Sequence, residues 1–256
     1  MSSERFAGID IGSRSIEFVV VDENGVVLCS EQRDTGFDPV REARELVAQH
    51  PHDLLMATGY GRSLCEVEFD CPTVTEIKAH AKGAHASISG ASAILDIGGQ
   101  DSKAIALYAG SGKVKKFEMN DRCAAGTGKF LEIMATNLGF PLETFGDAAL
   151  EAQEEINISS MCTVFAESEV TSLIARGADR KAIARGLHYS VIRRAAGMIN
   201  RISDNGDIIF TGGVAKNRCM TTLLAEHLQR RVLIPEDPQA IGALGAALLA
   251  MESTQG

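Results

Sequence analysis

Residues 93–112, AILDIGGQDSKAIALYAGSG, decide the fold, because residues 6–25, FAGIDIGSRSIEFVVVDENG, repeat their layout. In each copy an apolar, strand-like run ends in Asp-Ile-Gly, at Asp10 and Gly12 and again at Asp96 and Gly98. A β-rich run follows and closes on a glycine turn, with Gly25 and Gly112 lying 15 and 16 residues beyond the two aspartates. Each copy therefore reads as a strand leading into a hairpin. Recurrence of one unit reads as internal duplication. Two αβ halves related by a pseudo-twofold axis would face their Asp–Gly turns across a cleft. The expectation is an α/β chain of two domains, 1–88 completed by a C-terminal helix 241–256, and 89–240.

Facing turns of this kind suit a polyphosphate. Glycine removes the Cβ, so backbone N–H groups can approach phosphate oxygens. An aspartate at each strand end can hold Mg²⁺, usually through water, and position an attacking water. The chain has no GxxxxGK[ST] loop and no GxGxxG turn, which disfavours those nucleotide folds. A third glycine element, DIIFTGGVAKNRCMTTLLAEHL at 207–228, reads as strand, Gly212–Gly213 turn and amphipathic helix, placed to lie against a nucleoside. AIGALGAALLA at 240–250 reads as a closely packed helix, too short to span a membrane.

Composition narrows the function. A formal net charge of −9 argues against unaided binding to nucleic acid or anionic membrane. No apolar run reaches membrane-spanning length, and MSSERFAGID carries no signal-peptide core, so a cytoplasmic protein is expected. The 6 cysteines, at 29, 65, 71, 123, 162 and 219, are not expected to form disulfides in a reducing compartment, and none forms a CxxC. The histidines form no HExxH and no Cys/His set. Cys65 and Cys71 read as surface or packing residues rather than ligands, with Cys29 on a strand and Cys219 on a helix.

Taken together, GIDIGS (8–13), ATGYGR (57–62), DIGGQDSK (96–103), NDRCAAGTG (120–128), SMCTVFAESEV (160–170) and FTGGVAKN (210–217) resemble the activator ATPases of 2-hydroxyacyl-CoA dehydratases. Those are relatives of the ATPase subunits of benzoyl-CoA reductases. The wider likeness is to the acetate and sugar kinase–actin superfamily, and it spans nearly the whole chain. It implies a duplicated actin-like ATPase fold with a nucleotide cleft between two domains. By this resemblance Asp10, Gly12, Ser13, Arg14 and Ser15 form the first phosphate turn, and Asp96, Gly98, Gly99, Gln100 and Asp101 the second. Asp10, Asp96, Gln100 and Asp101 would carry catalysis, with Asp96 or Asp101 touching Mg²⁺ through water and Gln100 orienting the attacking water. Gly126 and Thr127 would adjoin the second turn, and Gly212, Gly213, Lys216 and Gln239 would border the nucleoside. One departure stands out. The family places a lysine after its first phosphate loop where this chain has Glu17, and Arg14 is the candidate replacement charge.

The two cysteine motifs belong to this branch. Phe130, Leu131, Met134 and Leu138 form an apolar stripe that predicts a helix over 125–138. Val164, Phe165, Val170, Leu173 and Ile174 predict a second helix, ending at Gly177. Each cysteine then sits at or just before a helix N-terminus, where free N–H groups and the dipole favour a thiolate. Position alone leaves open two buried cysteines acting as small apolar residues. Two ligands per chain cannot fill the four positions of a cubane, but two chains around a twofold axis can. The expectation is a homodimer sharing one 4Fe–4S cluster through Cys123 and Cys162 of each chain, as the resemblance also implies.

The function expected is an ATP-dependent one-electron reductase that binds ATP or ADP and serves an iron–sulfur partner. That partner is a 2-hydroxyacyl-CoA dehydratase, a benzoyl-CoA reductase core or a double-cubane cluster protein, in anaerobic metabolism, with a ferredoxin or flavodoxin as electron donor. Two other classes compete: a small-molecule kinase of the same fold, and an ATP-dependent sensor in which iron serves structure.

Overall fold

A computed structural model describes residues 4–159 and 162–254 of the chain. Ser160 and Met161 of the second cysteine motif lie outside the described residues, as do residues 1–3 and the last two positions of the expected C-terminal helix. In chain order the elements are β1 (Arg5–Ile11), β2 (Ser15–Asp22), β3 (Val27–Asp34), α1 (Pro39–Gln49), β4 (Leu54–Thr58), α2 (Arg62–Phe69) and α3 (Glu76–Ser87). There follow β5 (Ala93–Ile97), β6 (Ser102–Leu107), β7 (Val114–Asn120), α4 (Gly128–Leu138), α5 (Leu142–Leu150), α6 (Thr163–Ala175) and α7 (Arg180–Ile202). The last are β8 (Ile208–Thr211), a short 3-10 turn (Gly213–Lys216), α8 (Arg218–Leu228), β9 (Val232–Leu233) and α9 (Ile241–Ser253).

The chain divides into two compact units. Residues 1–91, 107–115 and 235–256 form unit 1, and residues 92–106 and 116–234 form unit 2. The four-stranded sheet runs β3-β2-β1-β4, and the five-stranded sheet runs β7-β6-β5-β8-β9. The same local pairing recurs in both. β1 is antiparallel to β2 and parallel to β4, as β5 is antiparallel to β6 and parallel to β8. The glycine turns fall where φ must be positive: Gly25 between β2 and β3, Gly110 and Gly112 between β6 and β7. No helix of the described residues is long and apolar enough to cross a membrane.

Strand alternation sorts unit 1 into two cores. Ala7, Ile9, Ile11, Ile16, Phe18 and Val20 pack on one face of the sheet with Ala43 and Leu46 of α1 and with Cys65 and Cys71. Phe6, Val19, Val21 and Met56 pack on the other with Ala243, Ala246 and Ala247 of α9. Burying each large side chain is worth about 1.5–3 kcal/mol, and β1 and β2 are apolar on both faces because both are covered. Cys65 and Cys71 are thus core residues, and burial pushes the Cys65 thiol up to about 12.

The small residues of α9 exist for contact at backbone distance. A Cβ on Gly245 would overlap the Ala79 carbonyl oxygen of α3, and one on Gly83 the Ile241 carbonyl oxygen of α9. In unit 2, α7 supplies Ile183, Leu187, Val191, Ile192 and Ile199 to a core shared with Phe130, Met134, Phe145 and Phe210. Asp179 caps α7 by accepting from Lys181 N–H and Ala182 N–H. His188 is buried and pulled down to about 4 by desolvation; its Nδ1–H donates to the Ala184 carbonyl and its Nε2 accepts from Asn217, the N-cap of α8.

Two glycine substitutions separate helix propensity from packing. Gly197, inside α7, has only the Arg201 guanidinium tip near its Cβ position, at 3.4 Å. Gly197→Ala is expected to stabilise by about 0.5–1 kcal/mol, and Gly245→Ala to destabilise by at least about 1–3 kcal/mol. Urea unfolding of the two variants should move the midpoint in opposite directions.

Candidate functional site: two Asp–Gly turns and a cysteine loop

The first turn, Gly12–Ser15, joins β1 to β2 and is closed by the Gly12 N–H donating to the Ser15 carbonyl at 2.9 Å. Thr35 braces it twice, its N–H donating to the Arg14 carbonyl at 2.9 Å and its hydroxyl to the Gly12 carbonyl at 2.8 Å. Ser13 and Arg14 are exposed at the tip. Asp10 stands at the strand end, paired across the sheet with Glu17 on one side and Thr58 on the other. A Cβ on Gly59 would overlap Asp10 Oδ1, and one on Gly242 would overlap Asp10 Oδ2. ATGYGR thus has a local reason: its first glycine makes room for the aspartate.

The second turn repeats this construction. The Gly98 N–H donates to the Asp101 carbonyl at 3.0 Å, and Asp96 pairs with Lys103 and Thr211 as Asp10 pairs with Glu17 and Thr58. A Cβ on Gly98 would come within 2.7 Å of Asp101 Oδ1. Gln100 is exposed at the tip in the place of Arg14. The two turns differ in charge. Lys103 is 3% exposed and lies 3.3 Å from Asp96 Oδ2 and 2.5 Å from Asp101 Oδ2, while the Thr211 hydroxyl donates to Asp96 Oδ1 at 2.8 Å. In the first turn a second carboxyl occupies the lysine's place. Burial foremost, then the Asp10 charge, pushes Glu17 up to about 8; the Ser15 hydroxyl donates to Glu17 Oε1 at 2.5 Å. The Thr58 hydroxyl, fully buried beside Asp10, has no hydrogen-bond partner among the described residues.

Two glycine elements of unit 2 meet the second turn. The Gly128 N–H donates to the Gly98 carbonyl at 2.9 Å, and the Lys129 N–H to the Gly99 carbonyl at 2.8 Å. Gly212, with φ +82, lies so close that a Cβ would overlap the Ile97 carbonyl oxygen. Gly126 has φ +86, and its Cβ position is 2.6 Å from Arg194 Cδ. Gly213 is exposed in the 3-10 turn, Lys216 is exposed at its end, and Gln239 is half-buried in unit 1 just before α9.

Cys123 lies in the loop between β7 and α4. The Asn120 side chain holds that loop, donating to the carbonyls of Cys123 at 3.0 Å and Ala125 at 3.2 Å, while Arg194 donates to Asn120 Oδ1 at 3.2 Å. The predicted helix start at 125 is corrected: α4 begins at Gly128. Gly126 is left-handed, Thr127 is extended, and the Thr127 hydroxyl donates to the Ala124 carbonyl, so the helix cannot open earlier. The first N–H groups of α4 are taken by the second turn and are not directed at Cys123. Cys162 is different. It is exposed and is the N-cap of α6, which ends, as predicted, before Gly177 with φ +78. Glu167 accepts from Asn137 Nδ2 at 3.0 Å, and Glu169 accepts from the Ser159 N–H and hydroxyl.

Sequence reasoning passed over Lys103, Thr58, Thr211 and Asn120. Aligning the two copies residue by residue would have found the first: Glu17 and Lys103 occupy the same place after the same turn.

Two copies of one braced Asp–Gly turn, each on the same three-strand pattern, define an ATPase of the actin-like and sugar-kinase fold. The chain belongs to the BadF/BadG/BcrA/BcrD ATPase family, whose profile matches residues 7–250. The activator of lactoyl-CoA dehydratase from Anaerotignum propionicum is 42% identical over 257 residues, covering 97% of this chain and 98% of that protein. Component A of the (R)-2-hydroxyglutaryl-CoA dehydratase from Acidaminococcus fermentans superposes with a TM-score of 0.92 at 34% identity, over 99% of this chain and 100% of that one. The activator of the 2-hydroxyisocaproyl-CoA dehydratase from Clostridium difficile, solved with bound ADPNP, gives 0.88 at 35% identity, over 98% and 96%.

The carboxyl at position 17 predicts a pH signature. In the unfolded chain Glu17 ionises near 4.5, and in the folded protein near 8, so between those values the folded state holds an extra proton. Its contribution is fully present below about pH 4.5 and is lost as pH rises to about 8. Thermal melts from pH 5 to 8 should show Glu17→Gln gaining stability relative to the wild type as pH rises; a constant offset would mean that Glu17 is ionised throughout.

Proposed function

We propose that this chain is an ATP-driven one-electron reductase. ATP and Mg²⁺ are taken by the Asp–Gly turns, and a 4Fe–4S cluster shared by two copies of the chain serves an iron–sulfur partner of the 2-hydroxyacyl-CoA dehydratase type. A ferredoxin or flavodoxin supplies the electron. The observation that carries this reading is the pair of backbone hydrogen bonds from Gly128 and Lys129 to Gly98 and Gly99, which ties the second phosphate turn to the helix that follows Cys123. Relatives named as dehydratase activators, one of them solved with an ATP analogue, support it.

The donor set fits a shared cluster. Cys65, Cys71 and Cys219 are buried, and Cys29 lies against His50, which leaves half-buried Cys123 and exposed Cys162. Two thiolates are half of a cubane's set, and a twofold axis doubles them. Val164 and Phe165, both exposed in the first turn of α6, add apolar surface for a second copy beside Cys162. When bound, the cluster supplies one-electron transfer at a potential tuned by hydrogen bonds and solvent exposure. Mg²⁺ would be held through water by Asp96 or Asp101, hard oxygen donors suited to it.

The chain's own residues do the coupling. Lys103 and Thr211 fix the Asp96 carboxylate, Gln100 at the open tip orients the attacking water, and Ser13, Arg14 and Ser15 line the first turn. Gly212, Gly213, Lys216 and Gln239 border the nucleoside, and Gly126 and Thr127 set the path from the second turn back to Cys123. Phosphate at Gly98–Gly99 moves the carbonyls that hold α4, and Asn120 passes that movement to the Cys123 loop. A shift of about 1–2 Å is enough to change a packed interface.

Anaerobic isolation is expected to give about four iron and four sulfide per two chains. Cys123→Ser and Cys162→Ser should each lose the iron and keep ATP hydrolysis. Iron release to a chelator should differ about tenfold between ADP and a non-hydrolysable ATP analogue, and Asn120→Ala should shrink that difference. An iron-free protein that phosphorylates a small molecule would overturn the reading in favour of a kinase of the same fold.

A further inference from the structure

Residues 193 and 194 of α7 are consecutive arginines, and consecutive residues of a helix leave it about 100° apart. Each meets a different segment of unit 2. Arg194 Nη2 donates to Asn120 Oδ1 at 3.2 Å, and Asn120 Nδ2 donates in turn to the carbonyls of Cys123 and Ala125. The Arg194 stem lies against the same loop, since a Cβ on Gly126 would stand 2.6 Å from Arg194 Cδ. Gly126 therefore answers two demands, a φ of +86 and the close approach of an arginine stem.

Arg193 turns to the segment that precedes the second cysteine. Its Nη2 donates to the Ile158 carbonyl at 3.0 Å and its Nη1 to Asn157 Oδ1 at 3.3 Å. Its guanidinium carbon stands 5.6 Å from the centre of the Tyr189 ring, which favours that orientation. Ile158 is buried, and beside it the Ser159 N–H and hydroxyl donate to Glu169 of α6 at 2.9 and 3.0 Å. Cys162 is the N-cap of α6. Hydrogen bonds thus run from Arg193 through residues 158 and 159 to the helix that Cys162 opens.

A guanidinium suits this task. It stays charged at working pH, and its planar fork holds several N–H groups in fixed directions. Hydrogen bonds from a charged donor are about twice as strong as neutral ones. Arginines on a plain solvent face would leave their head groups in water, whereas these direct theirs at a loop carbonyl and two side-chain amides. α7 gives both a firm base, because Val191, Ile192, Ala195 and Met198 anchor the same stretch in the core of unit 2.

We propose that Arg193 and Arg194 are positioning residues for the cluster: through α7 they fix the Cys123 loop and the start of the Cys162 helix relative to each other, so that each chain presents its two thiols at a set spacing. This rests on the shared-cluster reading above. Neither arginine is a ligand. Thiols already held in place lose little freedom on binding one cluster, whereas loose segments must be ordered as it forms.

The test compares the full-length wild type with Arg193→Gln and Arg194→Gln, first free of iron and then loaded anaerobically. In the iron-free proteins, hydrogen exchange read by mass spectrometry should quicken at least about threefold over residues 121–127 in Arg194→Gln, and over residues 157–159 in Arg193→Gln, with the other segment unchanged in each. Iron release to a chelator should be about tenfold faster in either loaded variant, while the iron-free variants melt near the wild-type temperature. Arg194→Lys, which keeps a charged donor, should recover part of the loss, and Arg194→Met none. Unchanged exchange in both segments, or unchanged iron release in both variants, would overturn the proposal. So would exchange that rises over the whole chain, which marks lost stability rather than lost position. A wild type that takes up no iron would instead sink the shared cluster itself, and the exchange measurement, which needs no metal, tells the two failures apart.

Discussion

Two backbone hydrogen bonds organise unit 2: the N–H groups of Gly128 and Lys129 donate to the carbonyls of Gly98 and Gly99. They satisfy two of the four donors that any helix leaves unpaired at its start. They also make the second Asp–Gly turn the cap of α4. Gly126 must then be left-handed and Thr127 extended, so that the chain leaving β7 can turn through the Cys123 loop before entering the helix. The spacing in NDRCAAGTG follows from that constraint. A bulky residue at 128 would meet the Gly98 carbonyl oxygen at 3.0 Å and push the turn and the helix apart. The second Asp–Gly turn and the cysteine loop thus lie on either side of one helix start.

The duplicated turns show how one scaffold carries two electrostatic settings. Around Asp96 the negative charge is balanced within the protein, since Lys103 serves Asp96 and Asp101 together and Thr211 adds a hydroxyl donor. Around Asp10 a second carboxyl, Glu17, takes the lysine's place and rises to about 8. A carboxyl buried beside the Asp10 charge does not ionise readily, because burial and that charge both raise it. The expected role of Arg14 as a substitute for that lysine leaves it in a different place. Arg14 is exposed at the turn tip, while the buried position opposite Asp10 remains acidic. The halves match in strand pairing, and they differ in the one cross-strand residue that sets the charge of each strand end.

The duplication was legible in the sequence because it rests on local patterns, and the actin-like fold because its motifs resemble those of a known family. Strand runs ending in Asp-Ile-Gly, glycines where φ must be positive, and small residues along α9 each bring a local physical demand into view. Cys65 and Cys71 were readable as surface or packing residues rather than ligands because their segment has no glycine-rich turn, and the fold decided between the two by burying both. The helix after Cys123 was misplaced by three residues. An apolar stripe marks which face of a helix is buried, but the point where the helix opens depends on what accepts its first N–H groups, here two carbonyls some thirty residues earlier in the chain.

The sequence alone determined the duplication, the family resemblance and the two cysteine motifs, because periodicity, turn residues and motif spacing are properties of contiguous chain. The tertiary structure decided which groups meet across strands and loops: Lys103 with two aspartates, Glu17 with Asp10, Asn120 with the Cys123 loop, and Arg193 and Arg194 with Ile158 and Asn120. Such pairings depend on register and on the direction in which each side chain leaves the backbone. Those are fixed only when distant segments pack, and burial then turns an ordinary carboxyl or thiol into one with altered chemistry.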